Sequence, residues 1–308
     1  PQYRYLNSLT FHDYLQQHLS LDSTFLNAID YAMIDDWGAP STVVSALAGV
    51  HYYTCRPYFE RDPSLLSPPQ GNAYFAQRFI SRLPPEQLHT QQLIRAIQPH
   101  KSGFEVAVVD VKHHCQYRLK ARRIVYAAHK HGLKYIYPAG YARFRETTYS
   151  PWLVVNVVLD QPTTQRAYWQ NEYLSGERAF LGFVDSAAQF QPRTTRRTLT
   201  AYYCFEPAQR RTLLHLDETA PALVQRTIQY MEQVLQQPIR PHIEKVYLKA
   251  MGHGMPIPKP GFLLAQPNVD AHRTGMAYAG VDSGRLPLFF EAADSGLQAA
   301  RCLLSIKK

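Results

Sequence analysis

The stretch AYAGVDSGRLPLFFEAADSGLQAARCLL, residues 277–304, decides the fold that we predict for this chain. A short apolar run ends at Gly280, where a backbone can turn tightly or approach a ligand closely. A turn-rich segment with Asp282 follows, and then Phe290 and Glu291 open a helix rich in Ala, Ser and Gly. The N–H groups at such a helix start favour an electron-rich oxygen or an anion. Taken alone, the segment is equally consistent with a strand and a helix that simply pack together.

The segments before this stretch alternate between helix and strand patterns. Amphipathic helices are predicted within residues 1–50, at 72–83 and at 219–236, from apolar residues at helical spacing. The predicted strands are apolar runs bounded by turn residues, and they lie at 92–98, 104–111, 124–127, within 151–205 and at 245–249. The strands at 92–98 and 104–111 begin a predicted meander, with turns at Gly103 and 112–118. The meander leads into a strand that ends at Ala127 and Ala128. The predicted loops are the proline-rich residues 56–71 and the Gly- and Pro-rich residues 252–261.

Length and composition indicate a globular protein of one or two domains. The chain has 308 residues, of which 45% are hydrophobic and 19% are charged. Its apolar runs all fall well short of the roughly 20 residues that span a bilayer, and its first residues lack the features of a signal peptide. The sequence opens on Pro1 rather than Met, which suggests processing or a piece of a longer chain. These features assign no compartment.

Charge and metal-ligand patterns do not indicate nucleic-acid or metal binding. The formal net charge is +9, which suits anionic partners or simple solubility, but the basic residues form only short groups such as 120–123 and 193–197. The four cysteines lie far apart without a CxxC pair and are predicted to be buried thiols. The neighbouring histidines at 113–114 and at 129 and 131 have no cysteine or acidic ligands clustered with them in the sequence, so no metal site is predicted.

Taken together, the segments resemble the latter part of the FAD-dependent amine oxidase superfamily, which includes phytoene desaturases and protoporphyrinogen oxidase. The resemblance runs from about residue 70 to the end and is most specific over 277–300. Three further segments look similar to a bacterial branch with spermidine-dehydrogenase-like flavoproteins: TTYSPWLVVNVVLD (147–160), AFLGFVDSAAQ (179–189) and MGHGMPIPKPGF (251–262). The implied fold is α/β: an incomplete, glutathione-reductase-like FAD-binding domain interleaved with a mixed-sheet substrate domain. The implied FAD-binding segments are 71–140 and 246–308, and the implied substrate segments are 1–70 (helical) and 141–245 (β-sheet).

The resemblance also implies the residues that would contact FAD and substrate. The implied cofactor residues are Ile94 (backbone, near the adenine), Ala127 and Ala128 (where bulk is excluded), Gly280 and Asp282 (along the ribityl-pyrophosphate), and Phe290 with Glu291 (at the flavin O2/N1 edge). Hydride arriving at flavin N5 leaves negative charge on N1–O2, which a helix N-terminus stabilises. The implied substrate-side residues are Phe289 and Met251, with His253 and Met255 near the flavin ring.

Three polar residues are candidates for catalysis or substrate binding. His253 stands between two glycines in a predicted loop, so it either faces a pocket or bonds to backbone. Asn156 occupies the strand where many amine oxidases place a lysine, and shares a face with Val154 and Val158. We predict His253 and Asn156 as catalytic residues. Asp185 interrupts an apolar strand, and is either a satisfied polar residue or part of a substrate pocket.

The sequence lacks the G-x-G-x-x-G fingerprint that opens proteins of this superfamily. The resemblance therefore implies that a second polypeptide carries the unit that holds the FAD pyrophosphate, or that this chain is a fragment. By itself the chain is not expected to hold FAD tightly. The predicted function is the C-terminal portion or subunit of a heteromeric, bacterial FAD-dependent oxidoreductase that moves hydride from a substrate C–H to flavin N5. The alternatives are a flavin-dependent desaturase or isomerase of an apolar substrate, and a non-catalytic partner subunit.

Overall fold

A computed structural model of the protein describes residues 2–55, 68, 70–161, 168–173, 177–189, 196–264 and 268–304. Within these residues the α-helices are α1 (Gln2–Leu6), α2 (Phe11–Gln16), α3 (Ser23–Trp37), α4 (Ala46–Thr54), α5 (Asn72–Ile80), α6 (Leu133–Ile136), α7 (Pro138–Tyr141), α8 (Leu216–Leu235), α9 (Ala271–Thr274) and α10 (Phe289–Leu304). The strands are β1 (Gln92–His100), β2 (Gly103–Asp110), β3 (Cys115–Ala121), β4 (Ile124–Tyr126), β5 (Tyr149–Leu159), β6 (Gln170–Glu172), β7 (Phe180–Asp185), β8 (Arg197–Cys204), β9 (Ile243–Pro256) and β10 (Met276–Tyr278). The predicted mixed α/β class is confirmed. Most of the predicted loop at 56–71 lies outside the described residues.

The chain divides into two compact units, each assembled from separate segments. Unit 1 comprises Pro1–Leu9, Asn72–Thr147 and Pro258–Lys308, and unit 2 comprises Thr10–Gly71 and Thr148–Ile257. The boundaries predicted from the sequence differ from these by more than one residue in three places. The first residues belong to unit 1, the boundary predicted at 140/141 lies at 147/148, and the boundary predicted at 245/246 would cut through β9. Since β9 pairs with β5 as far as Pro256, unit 2 continues to Ile257.

Unit 1 contains the predicted meander as an antiparallel sheet in the order β1-β2-β3. Alternate residues of β2 point to one side of the sheet, and they enter a core with residues of β1, α6 and β10. The turn predicted at 112–118 is shorter than expected, because Cys115 already pairs with Asp110 and begins β3.

The decisive C-terminal stretch forms a strand and a helix, as predicted. β10 pairs in parallel with β4, with Ala277 opposite Val125. α10 packs against β10 through Ser295, Ala299 and Leu303, which repeat every four residues along one helical face. Small side chains on both elements permit this close approach: the buried core here is made of Ala271, Ala277, Ala279, Ala299 and Leu303.

Unit 2 is built on a five-stranded sheet in the order β6-β7-β8-β5-β9. All of its pairings between described strands are antiparallel, whereas the sequence suggested a mixed sheet. The order β6-β7-β8 joins strands that follow one another in the chain, and short connections of this kind suit antiparallel neighbours. Helix α8 covers one face and encloses a core of residues from β5, β7 and β8. Among the described residues, no helix is both long enough and apolar enough to cross a membrane.

Strand β9 is longer than predicted. The sequence suggested a strand at 245–249 and a loop over 252–261, but β9 runs from Ile243 to Pro256. Its last residues pair with the start of β5, with Met255 opposite Ser150. Backbone pairing to a neighbouring strand therefore overrides the turn tendency of the glycines in this segment.

Candidate functional site

A buried serine fixes the turn that joins β10 to α10. Gly280 has a φ of 118°, a conformation that strongly favours glycine. Its N–H donates to Oγ of Ser295 at 2.7 Å, and this hydroxyl donates in turn to the carbonyl of Ala292 at 2.7 Å. The helix begins at Phe289, one residue before the predicted start at Phe290. The predicted turn is therefore held directly against the second turn of the helix.

The start of α10 is open and aromatic. Phe290 is 75% exposed, and its N–H belongs to the first turn, where N–H groups have no partner within the helix. The ring of Phe289 instead contacts the rings of Phe75 and Phe79 on α5, with centroids 5.2 and 6.3 Å away. The helix end thus presents the positive end of its dipole beside an exposed aromatic cluster.

Asp282 is committed to an ion pair that the sequence did not reveal. Nζ of Lys130 donates to Oδ1 of Asp282 at 2.8 Å, and the backbone N–H of Lys130 donates to Oδ2 at 2.7 Å. Lys130 is fully buried. Burial lowers the pKa of Lys130, while the Asp282 charge opposes this shift. Both Asp282 oxygens therefore support the turn rather than standing open to a ligand.

Glu291 pairs with Arg285, a partly buried arginine. Nη1 of Arg285 donates to Glu291 at 2.8 Å, and Nη2 lies 2.9 Å from Asp294, so one guanidinium joins two carboxylates of the first helical turns. A cavity of about 370 Å³ lies against this part of α10, with walls that include Glu291, Ser295 and Gln298. Glu291 thus stabilises the helix start and borders a polar cavity.

The other predicted cofactor residues of unit 1 lie at a strand end and beside a bulge. Ala127 and Ala128 directly follow β4 and are exposed. The edge of β4 that faces away from β10 carries no strand among the described residues. In β1 the register with β2 shifts between Ile94 and Ala96, and such a bulge leaves backbone groups outside the ladder. The Ile94 backbone therefore lies where sheet pairing is interrupted.

In unit 2, His253 lies in a strand bulge rather than a loop. Ser150 pairs with Met255 and Trp152 with Met251, so that residues 252–254 stand opposite a single residue of β5. The ring of His253 contacts that of Tyr149, with centroids 5.5 Å apart. A bulge re-aims the side chain that it carries, and this is a common feature beside functional sites.

Two residues around the bulge give it its shape. A side chain at Gly254 would come within 2.8 Å of Trp152 Cδ1, so glycine is required for contact with the indole. On the other side, Arg210 donates from Nε to the carbonyl of Gly252 and from Nη2 to the carbonyl of Tyr149, both at 2.6 Å. The sequence pattern did not reveal Arg210, because its partners are backbone atoms distant in the chain.

Replacing Arg210 with Met tests this arrangement. We expect a loss of about 1.5–3 kcal/mol in the free energy of unfolding, because hydrogen bonds to a charged group are lost and two carbonyls remain unpaired. The His253 ring resonances should shift in the NMR spectrum. The matched control is Arg211→Met, since Arg211 is exposed and surface changes usually stay within about 0.5 kcal/mol. Equal effects of both variants would contradict a role for Arg210 in the bulge.

Met251 belongs to an aromatic and thioether cluster on the sheet face opposite α8. The buried part of this cluster is Ile34, Trp152, Leu181 and Cys204, and Tyr31, Tyr202, Met251 and Met255 pack against it. Burial raises the pKa of both tyrosines well above the usual range, and the Asp35 carboxylate adds to this effect. Both phenols therefore stay neutral, and the negative charges of Asp35 and Glu172 act on an otherwise apolar cluster.

Asn156 lies on the same sheet face, bonded to the neighbouring strand. Oγ1 of Thr200 donates to Oδ1 of Asn156 at 2.7 Å, and the two residues are directly opposite in the pairing of β5 with β8. Asn156 is half-buried, as are Val154 and Val158, in agreement with the shared face expected from the sequence.

Asp185 is a satisfied polar residue in a buried ion pair. Its side chain is fully buried, and Arg197 binds it through Nε at 2.8 Å and through a second contact from Nη2. The N–H of Ala187 donates to the same carboxylate at 3.0 Å. Of the two possibilities left open by the sequence, this geometry fits the structural one. It argues against the expected substrate contact, because the charge is already neutralised away from solvent.

The structure thus groups the predicted residues by unit. The residues expected to contact cofactor, together with Phe289, all lie in unit 1, and Asn156, Asp185, Met251 and His253 lie in unit 2. Within the described residues, no cluster of three or more His, Cys, Asp or Glu side chains could hold a metal ion.

Comparisons with known proteins identify the fold. No protein-family model matches the sequence, and no curated protein matches it significantly. Cyclohexylamine oxidase from Brevibacterium oxydans IH-35A matches in structure with a TM-score of 0.62 at 15% identity, over 99% of this chain and 69% of that one. Putrescine oxidase bound to putrescine matches with a TM-score of 0.63 at 13% identity, over 98% and 69%. An oxidoreductase from Methanosarcina mazei matches with a TM-score of 0.58 at 10% identity, over 96% and 68%.

These matches confirm the resemblance to amine oxidases at the level of the fold. Almost the whole of this chain is matched, whereas nearly a third of each neighbour lies outside the match. At such low identity the likeness carries no residue roles, which have to be argued from the chain's own side chains.

Proposed function

We propose that this chain is part of an FAD-dependent oxidoreductase of the amine oxidase type, which takes hydride from the C–H beside a substrate nitrogen. The observation that carries the proposal is the Gly280 turn with the open start of α10, found in a chain with an amine oxidase fold. The superfamily that the sequence resembles uses FAD, which would supply the hydride acceptor N5.

The residues of unit 1 fit this cofactor. The N–H groups at Phe290 would face the flavin O2/N1 edge and stabilise the negative charge that hydride transfer leaves there. Gly280, Ala127 and Ala128 offer backbone without bulky side chains, and the bulge beside Ile94 offers backbone groups for the adenine. We assign Asp282 and Glu291 a supporting role, because each is already bound within the unit.

In unit 2 we propose that the half-buried side chains of Tyr202 and Met251, supported by the buried ring of Trp152, form the substrate surface. Aromatic faces attract cationic groups, and Asp35 adds negative charge close to Tyr202. An organic amine suits such a surface. His253 in its bulge is the proposed proton-exchanging group, since histidine changes charge near neutral pH. Asn156, held by Thr200, is proposed to orient the substrate by hydrogen bonding.

We also propose that a polypeptide with the G-x-G-x-x-G unit completes the cofactor site, on a separate chain or on a longer form of this one. Two features of unit 1 support this. β4 and β10 form a two-stranded parallel pair, an arrangement that normally occurs within larger, covered sheets. The exposed rings of Phe79 and Phe290, with Val125 on the outer strand, leave apolar surface that a further segment would cover.

The test is to purify the tagged chain from its source cells under mild conditions and to record the visible spectrum of what is eluted. We expect the eluted material to carry a G-x-G-x-x-G sequence, on a co-purified polypeptide or on a longer form of the tagged chain, and to show the absorption bands of bound flavin. Anaerobic addition of putrescine or cyclohexylamine should bleach those bands, because the flavin becomes reduced.

Other results would redirect or refute the proposal. Bleaching by carotenoid-like compounds but not by amines would favour a desaturase of apolar substrates. A complex that contains the second polypeptide but remains colourless even with added FAD would refute the flavoenzyme function and favour a non-catalytic partner subunit.

A further inference from the structure

Lys130 is a buried cation at the ends of two parallel strands. Its Nζ donates to the carbonyl of Ala128 at 3.1 Å, to the carbonyl of Ala279 at 2.5 Å and to Oδ1 of Asp282 at 2.8 Å. These three acceptors match the three donors of an ammonium group. The rings of Tyr126 and Phe144 close the site, each with its centroid 5.7 Å from Nζ.

The acceptors belong to two different turns. Ala128 follows β4 and Ala279 follows β10, so one ammonium joins the carboxyl ends of both strands. The backbone N–H of Lys130 completes the arrangement by donating to Oδ2 of Asp282 at 2.7 Å. The turns at 127–130 and 279–282 are therefore connected through a single side chain and its counterion.

The Gly280 turn is folded directly against this ammonium. A side chain at Gly280 would lie 3.1 Å from Nζ of Lys130 and 3.1 Å from Oδ1 of Asp282. Ser295 holds the N–H of the same residue from the helix side. The left-handed backbone of Gly280 is thus fixed between the lysine and the helix.

We propose that Lys130 is a positioning residue that sets the conformation of the turns at 127–130 and 279–282. Being fully buried, it acts through the two carbonyls and Asp282 and touches no ligand. What these turns bind rests on the proposed function, which assigns them to FAD. That Lys130 connects the two turns rests on the hydrogen bonds of its Nζ and backbone N–H.

The first test compares Lys130→Met and Asp282→Asn with the double variant Lys130→Met/Asp282→Leu in the full chain. The readout is amide hydrogen exchange of peptides covering 124–132 and 276–284. Each single variant should lower the melting temperature and accelerate exchange in both peptides. The double variant should recover the melting temperature, since replacing a buried ion pair by apolar residues is often neutral.

The double variant separates positioning from general stability. Exchange in the two turns should stay about ten- to hundredfold faster than in the parent protein, because both carbonyls have lost a charged donor. The control is Arg118→Met, which removes a partly exposed ion pair with Glu105 between β3 and β2 of the same unit and should leave both peptides unchanged. Exchange that returns to the parent rate in the double variant would overturn the proposal.

A second measurement concerns FAD in the complex with the partner polypeptide. At equal melting temperature, the double variant should bind FAD about tenfold or more weakly than the wild type, because the loss of hydrogen bonds to a charged group has effects of this size. Equal affinity would refute a role of Lys130 in cofactor binding. If the wild type binds no FAD, the proposed function fails, while the exchange experiment still decides whether Lys130 connects the turns.

Discussion

Replacing Arg197 with Met is expected to lower the free energy of unfolding by about 3–5 kcal/mol. The change leaves the fully buried carboxylate of Asp185 without its counterion. A buried, unpaired charge is among the most destabilising single changes in a protein, because the attraction that offset its desolvation is lost. The measurement is denaturant unfolding, in which the midpoint should fall with little change in the slope.

The double variant Arg197→Met/Asp185→Leu is the control for this prediction. It removes both charges and should return most of the lost stability, since apolar replacement of a buried pair is often neutral or stabilising. A loss below about 1 kcal/mol in Arg197→Met would instead match an exposed ion pair. That outcome would reopen the possibility that Asp185 contacts substrate.

Replacing Trp152 with Ala is expected to cost about 3–5 kcal/mol, the range for truncating a buried aromatic side chain. The indole packs against Tyr202 and Gly254 and donates from Nε1 to Oγ of Ser150 at 2.9 Å. Its removal takes away the surface against which the His253 bulge is shaped. In the holoenzyme complex we also expect a higher KM for an amine substrate, since Trp152 supports the proposed substrate surface.

Two further variants serve as controls for this prediction. Trp152→Phe keeps a ring but loses the hydrogen bond to Ser150, so its cost should be nearer to 1 kcal/mol. Tyr247→Ala on β9 removes an exposed ring and should change stability by less than about 0.5 kcal/mol. If Trp152→Ala and Tyr247→Ala proved equally mild, Trp152 would not be part of a packed core.

Local patterns predicted the elements of unit 1 well. The apolar runs in 92–111 predicted the strands of the meander, and the small residues in 289–300 predicted α10. Both are present in the structure. β9 departed from its pattern because two glycines suggested a loop, whereas pairing with β5 keeps Gly252 and Gly254 in a strand. Backbone hydrogen bonds to a distant strand are not visible in local composition.

The site residues also show that local sequence patterns do not reveal contacts with distant parts of the chain. Gly280 and Phe290 could be singled out because turn and helix-start residues have local signatures. Lys130 and Arg210 could not, since their acceptors are mostly carbonyls, and backbone partners leave no mark on the sequence. Asp185 was recognisable as unusual within its strand, but its partner Arg197 lies on the neighbouring strand, and only the pairing of β7 with β8 brings them together.

The sequence by itself determined the α/β class, the meander, and the strand, glycine turn and small-residue helix at the end of the chain, because these depend on spacing and on backbone conformations that few residues adopt. Tertiary structure alone decided which charges are neutralised within the fold and which backbone is held in place. Asp282 and Asp185 are similar carboxylates in sequence, and the fold buries them in ion pairs with Lys130 and Arg197. The helix start at Phe290 could be predicted from local pattern, but its exposure within the described part of the chain depends on which elements pack around it.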